Sequence, residues 1–290
     1  MKLALGTVQF GIDYGVNSLS GQVQPNEVSN ILNYAFEIGI NTLDTAPSYG
    51  DCEQIIGNNN LLNFSIVTKT RNYESFLITA DEAKLMRNDF EKSLIKLNKK
   101  SIYGLLIHNT DDLLKKGSDH LINQMESFKQ NGLIQKIGIS AYTESQIQAV
   151  IDRFEIDLIQ IPFNIFDRRL TDSGILKKLQ SKGIEIHVRS IFLQGLLLMM
   201  PSKLPRKFNK WAYLWDIWQE WLVENNITAL EATIRHAISI PEISKVIVGV
   251  DSKSQLEQIF QASNGVIPQI PEELFTDDPK ILNPSNWTKL

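Results

Sequence analysis

The amino-acid sequence predicts an α/β protein of the (β/α)8 TIM-barrel class, and three observations carry that prediction. Eight short apolar runs, rich in branched residues, recur along the 290 residues. Segments whose apolar residues fall at helical spacing separate them. No Pro/Gly/Ser-rich linker, composition shift or low-complexity tract divides the chain. Runs that are apolar at nearly every position suit strands buried on both faces of a parallel sheet. Uninterrupted strand–helix alternation argues for one such sheet, and eight strands favour its closure. A single domain spanning residues 1–290 is expected, since these barrels commonly form one unit of about 250 residues.

The first strand is read in LALGTV from Leu3. Pro25–Ile38 follows as a helix because Val28, Ile31, Leu32, Ala35 and Phe36 repeat at spacings of three and four. NTLDTA from Asn41 and SIVTKT from Ser65 are the second and third strands. Asp81 reads as the cap of a helix Asp81–Leu97 with a stripe of Leu85, Phe90, Leu94 and Leu97. IYGLLIHN from Ile102 is the fourth strand, and the helix Ser118–Gly132 closes on a glycine, the usual left-handed stop. KIGISAY from Lys136, LIQIPFN from Leu158 and EIHVRS from Glu185 alternate with helices over Thr143–Arg153 and Thr171–Gly183. The interval Ile191–Lys245 has room for a loop and two helices. VIVGV from Val246 is the eighth strand, and Ser252–Ser263 the last helix.

Composition bounds the function. With 43% hydrophobic and 21% charged residues and a net charge of −4, nothing points to nucleic acid. One cysteine, Cys52, leaves no internal disulfide and fits a reducing compartment. The start, MKLALGTVQFGIDYG, lacks the long apolar core of a signal peptide. The apolar stretch Leu193–Met200 is broken by Gln194 and Gly195 and is far too short to span a bilayer. A cytoplasmic protein without membrane partners is expected, as a monomer or small homo-oligomer. No metal is expected, since His120, His187 and His236 lack ligand spacing. Gly6, Gly11 and Gly15 have the wrong spacing for a GxGxxG turn, and P-loop, HExxH and CxxC patterns are missing.

In a barrel of this class the reactive groups sit at the carboxyl ends of the strands. The second strand ends on Asp44, with Tyr49 five residues on, the third on Lys69 and the fourth on His108. Consecutive strands thus aim an acid, an amine and an imidazole at one mouth. A phenol of pKa about 10 is a poor proton donor at neutrality, and a nearby ammonium would lower that value. A carboxylate beside the lysine keeps it charged, and a neutral imidazole can polarise a carbonyl oxygen. Each residue also has an ordinary reading: Asp44 a cap, Lys69 a rim charge, Tyr49 a packed turn, His108 a satisfied core group. Joint placement at adjacent strand ends is what those roles would not require.

NTLDTAPSYG, IVTKT and LLIH resemble three signature segments of the aldo/keto reductase family. The likeness runs from LGTVQFG near the start to VGVDSKSQLEQI near the end. The resemblance implies an NAD(P)-dependent oxidoreductase acting on a carbonyl or the corresponding alcohol. Tyr49 would be the general acid/base, Lys69 and Asp44 its tuning pair, and His108 the carbonyl orienter. It also implies cofactor contacts at Gly6, Thr7, Ser140, Gln160, Arg189, Ser190, Gly195, Gly249, Val250, Ser252, Gln255 and Gln258. Ser140 and Gln160 would hold the nicotinamide carboxamide. Two departures stand out: Ala141 where many members carry asparagine, and Arg189 where an aromatic commonly stacks on the nicotinamide ring. A guanidinium can stack as well, and a structural ion pair is the competing role for Arg189.

VGVDSKSQLEQI resembles the adenosine-phosphate segment, with Gly249 and Val250 at a turn and Ser252 opening a helix that favours phosphate. Gln255 stands where NADPH-preferring members often carry arginine; Lys253 is the nearby cation and Asp251 would repel a 2′-phosphate. NADP is expected by family habit, with NAD as the other coenzyme this segment admits.

The loops Gly11–Val23 and Phe192–Lys207 would shape the substrate pocket, and Asp13, Tyr14, Asn17 and Ser18 suit a hydroxylated ligand. A sugar-like or polyhydroxylated carbonyl compound, and hence a role in carbohydrate metabolism, is the expectation. The alternative is a nicotinamide-binding redox-sensing or scaffolding barrel with little turnover. A lysine Schiff base at Lys69 is a further rival, disfavoured because Asp44 would keep the amine protonated. Trp211, Trp215, Trp218 and Trp221 fall at helical spacing and read as a packed face; Arg168–Arg169 reads as structural.

Overall fold

The computed structural model describes residues 1–15 and 21–289 and closes the sheet as expected. Eight parallel strands, β1 (Leu3–Gly6), β2 (Thr42–Asp44), β3 (Ser65–Lys69), β4 (Ile102–Ile107), β5 (Ile134–Ser140), β6 (Leu158–Pro162), β7 (Glu185–Arg189) and β8 (Lys245–Gly249), pair in sequence order. The seam is made by β1 and β8, with Gly6 opposite Gly249. Gly6 also lies opposite Asp44, and Ser140 opposite Gln160. Register thus brings these strand ends to one face.

The barrel interior is narrow. Val67, Leu106 and Leu158 fill it, and a Cβ at Gly138 would lie 2.3 Å from the Leu158 carbonyl oxygen. The main core lies outside, between strands and helices, where Val28, Ile31, Leu32 and Ala35 of the helix Pro25–Glu37 meet buried strand residues. This is the stripe that periodicity selects.

A separate apolar cluster gathers the interval after β7 and the C-terminal segment. Trp211, Trp215, Trp218 and Trp221 pack there against Phe166, Leu196, Ile281 and Trp287, so the tryptophan spacing is a core face.

Three expectations need correction. Thr79, not Asp81, caps the fourth-strand helix, which spans Ala80–Lys96: its hydroxyl accepts the Asp81 N–H and Glu82 closes a capping box. The segment Thr171–Gly183 is two short helices, Arg169–Asp172 and Ile175–Ser181, because Gly174 between them is left-handed at φ 78°. A six-residue helix, Cys52–Gly57, fills the crossing from β2 to β3; one and a half turns give too short a period to read. Among the described residues, no helix is long and apolar enough to cross a membrane.

Candidate active site

The strand ends converge as their spacing implies. Lys69 is buried, and its ammonium donates to both Asp44 carboxylate oxygens at 2.8 Å and to the Thr45 carbonyl at 2.9 Å. Its remaining approach is to the Tyr49 hydroxyl, 3.3 Å away. The Tyr49 and His108 rings stand edge to face, 6.4 Å between centroids. All four side chains line one cleft of about 750 Å³, a size suited to a small organic ligand.

Electrostatics bears on the protonation of Lys69, His108 and Tyr49. Burial opposes the Lys69 cation, but Asp44 and Tyr49 more than offset it, so its pKa lies above the ordinary lysine value. Burial and the Lys69 cation push His108 down to about 4, so it is neutral at pH 7. Tyr49 departs from the expectation drawn from sequence. Lys69 does pull the phenol down, but burial and Asp44 outweigh it, and the net shift is upward. Tyr49 is therefore a protonated phenol poised against a cation.

Glycines hold the loop that carries Tyr49. A Cβ at Gly11 would lie 1.7 Å from the Tyr49 carbonyl oxygen, and one at Gly50 2.6 Å from the Gly11 oxygen. Gly50 is also left-handed at φ 60°. Two backbones can approach this closely only without side chains. Thr7 donates its hydroxyl to the Asp44 carbonyl at 2.9 Å, fixing the end of β2.

Gln160 supplies the clearest sign of an incomplete site. It is fully buried, and its Nε2 donates to Asp44 Oδ1 at 2.6 Å. Its Oε1 has no partner, although buried polar atoms are nearly always paired. Because Gln160 lines the cleft, a donor such as a carboxamide N–H would satisfy it. Ser140, in register beside it, lines the same wall.

The other residues singled out by sequence distribute as follows. Gly6, Thr7, Arg189, Ser190, Gly195, Gly249, Gln255 and Gln258 line the cleft. Val250 is buried in the core, and the Ser252 hydroxyl accepts the Gln255 N–H as a helix cap. The Arg189 guanidinium lies 4.5 Å from the centroid of the Tyr142 ring, a contact that is neither the expected stacking on nicotinamide nor an ion pair. The loop after β7 is left-handed at Ser190, Leu193, Gln194 and Gly195, a concentration of unusual backbone that often marks a ligand wall. Tyr14 joins that loop through Gln194, which donates to its hydroxyl at 3.1 Å; Asn17 and Ser18 lie outside the described residues.

Phe192 lines the cleft as expected of its loop, but sequence reading missed Gln9 and Tyr142, and Thr228–Leu230 at the start of the helix Ala229–Ser239. Thr228 was legible as a cap before Glu231, but its approach to the cleft was not. Ala141 is buried, with its amide bonded to the Gln160 carbonyl.

The family model for the aldo/keto reductase family matches residues 2–271. The chain belongs to the aldo/keto reductase family. Among curated relatives of this family member, an uncharacterised oxidoreductase, YqkF, of Bacillus subtilis is 27% identical over 283 residues, covering 91% of each chain. L-galactose dehydrogenase of Arabidopsis thaliana is 26% identical over 277 residues, covering 88% of this chain and 83% of its own. Among solved structures, an aldo-keto reductase from Bacillus halodurans superposes with a TM-score of 0.73 at 22% identity, covering 94% and 89% of the two chains. A glycerol dehydrogenase from Gluconobacter oxydans gives 0.69 at 19% identity, covering 92% and 88%. The family is one of oxidoreductases, and the (β/α)8 architecture is shared.

Proposed function

We propose that this aldo/keto reductase reduces the carbonyl group of a hydroxylated small molecule with a nicotinamide dinucleotide. The observation that carries the reading is the set Asp44–Lys69–Tyr49, hydrogen-bonded in series with neutral His108 alongside. A bound reduced dinucleotide would supply hydride. Gln160, with its free carbonyl, and Ser140 would hold the carboxamide; Gly6, Thr7, Gly249 and the loop Ser190–Gly195 would form the walls.

The protein's own part is proton and charge management. Neutral His108 can donate a hydrogen bond to the substrate oxygen and polarise the carbonyl. Tyr49, held protonated by burial, gives its proton to that oxygen as negative charge develops there. Lys69 stabilises the phenolate left behind, and Asp44 keeps Lys69 charged.

A hydroxylated substrate is supported by polar groups that line the cleft, among them Thr7, Gln9, Tyr14 and Gln194. The L-galactose dehydrogenase and glycerol dehydrogenase relatives act on hydroxylated compounds by name, which points the same way. A small homo-oligomer or monomer working in the cytoplasm remains our expectation. The test is loss of reduced-nicotinamide absorbance with a panel of aldoses, 2-ketoaldehydes and apolar aromatic aldehydes. Turnover of hydroxylated carbonyls is expected; turnover confined to apolar aromatic aldehydes would contradict the substrate class.

A further inference from the structure

The cleft takes in more than the reacting groups. Its lining includes Tyr49, His108 and Gln160 and also Asp251, Gln255 and Gln258, which follow β8. A dinucleotide whose reacting ring lies beside Tyr49 must leave its adenosine at that far end. The two natural coenzymes differ there, by a phosphate on the adenosine ribose. Binding that phosphate calls for a cation, whereas a free ribose diol calls for a carboxylate acceptor.

The far end is built from the helix Lys253–Ala262, opened by the Ser252 cap. First-turn amides of such a helix ordinarily attract an anion. Here the chain supplies its own. Glu27, from the helix Pro25–Glu37, accepts the Lys253 N–H at 2.7 Å. Gln255 folds back so that its Oε1 accepts the Asp251 N–H at 2.7 Å. Asp251 adds a second carboxylate, one oxygen of which is buried without a hydrogen-bond partner. Burial and nearby Asp13 already push the Asp251 carboxyl up, so further negative charge is unwelcome. The basic group of the first turn, Lys253, sits 3.6 Å from Glu257 and 5.3 Å from the Tyr34 ring centroid. Lys69 and Arg189 are cations of the cleft's reactive end.

Resting on the reading of the cleft as a dinucleotide site, we infer that Glu27 and Asp251 make it selective for NADH over NADPH. Glu27 already occupies the Lys253 amide that an anion would use, and the Asp251 carboxylate, which lines the cleft, opposes a 2′-phosphate there. This inference runs against the NADP expected from family habit.

Titration of the full-length protein with NADH and with NADPH, read by quenching of tryptophan fluorescence, tests the inference without turnover. Competition by 2′,5′-ADP against 5′-AMP gives a second readout at the far end alone. NADH should bind at least about tenfold more tightly than NADPH. Asp251→Arg should shrink or reverse that ratio, and Glu27→Gln should shrink it less. NADPH binding as tightly as NADH to the unaltered protein overturns the selectivity and leaves the site reading standing. Failure of both coenzymes to bind overturns the two together. The unaltered protein decides the matter even if a variant does not fold.

Discussion

The two ends of the cleft are held by different means. At the reactive end, Asp44 and Lys69 are buried strand-end residues from β2 and β3, and a third strand, β6, contributes Gln160 to the same carboxylate. At the far end, Glu27, Asp251 and Gln255 stand on helix first turns and a loop, joined by exposed hydrogen bonds. On the proposed reading, the barrel holds the reacting groups rigidly and leaves coenzyme choice to side chains that can change without disturbing the core. Substitutions should divide along the same line.

Asp44→Ala is expected to have the largest effect. It strands the buried Lys69 ammonium, and breaking such a pair costs about 3–5 kcal/mol, visible as a lower urea midpoint together with lost turnover. Gly11→Ala comes next. Its methyl would overlap the Tyr49 carbonyl, so we expect about 1–3 kcal/mol of destabilisation and a fall in turnover as the Tyr49 loop shifts. Unchanged melting and turnover would mean that the loop is not pinned there.

The pH dependence of stability follows from two histidines. Burial holds both His108 and His236 down to about 4, below the unfolded value of about 6.5. Between those values the unfolded chain binds protons that the folded chain does not. Stability is thus full above pH 6.5 and falls as pH drops toward 4, by about 1.4 kcal/mol per pH unit for each histidine. His236 stacks on Phe163 away from the reactive groups, so His236→Gln should roughly halve that slope while leaving the pH profile of turnover in place. The smallest effect belongs to the far end: Glu27→Gln should change stability by under about 1 kcal/mol while altering coenzyme preference.

The sequence made the barrel and the meeting of Asp44 with Lys69 legible for a physical reason. Fully buried strands leave unbroken apolar runs, and titratable residues that end neighbouring runs, as Asp44 and Lys69 do, are brought to one mouth by the fold. What escaped depended on contacts between distant segments. Gln160 reaches Asp44 across 116 positions, and no local pattern announces that bond. Glu27 looks like any first-turn carboxylate offsetting its own helix dipole; its bond to Lys253 spans the chain. The contact of Arg189 with Tyr142 likewise joins residues far apart in the chain. The upward shift of Tyr49 was misjudged because composition shows its cation but not the burial that outweighs it. Thr79 was overlooked as a cap because Asp81 two residues on carries an equally good capping side chain.

Tyr49→Phe tests the central claim most directly. The change removes one hydroxyl that meets Lys69 at 3.3 Å and leaves the Asp44–Lys69–Gln160 network intact. Coenzyme affinity by fluorescence titration should stay within about twofold while turnover falls by a factor of about 10² to 10⁴, the range of a lost general acid. Turnover equal to that of the unaltered protein would contradict the account.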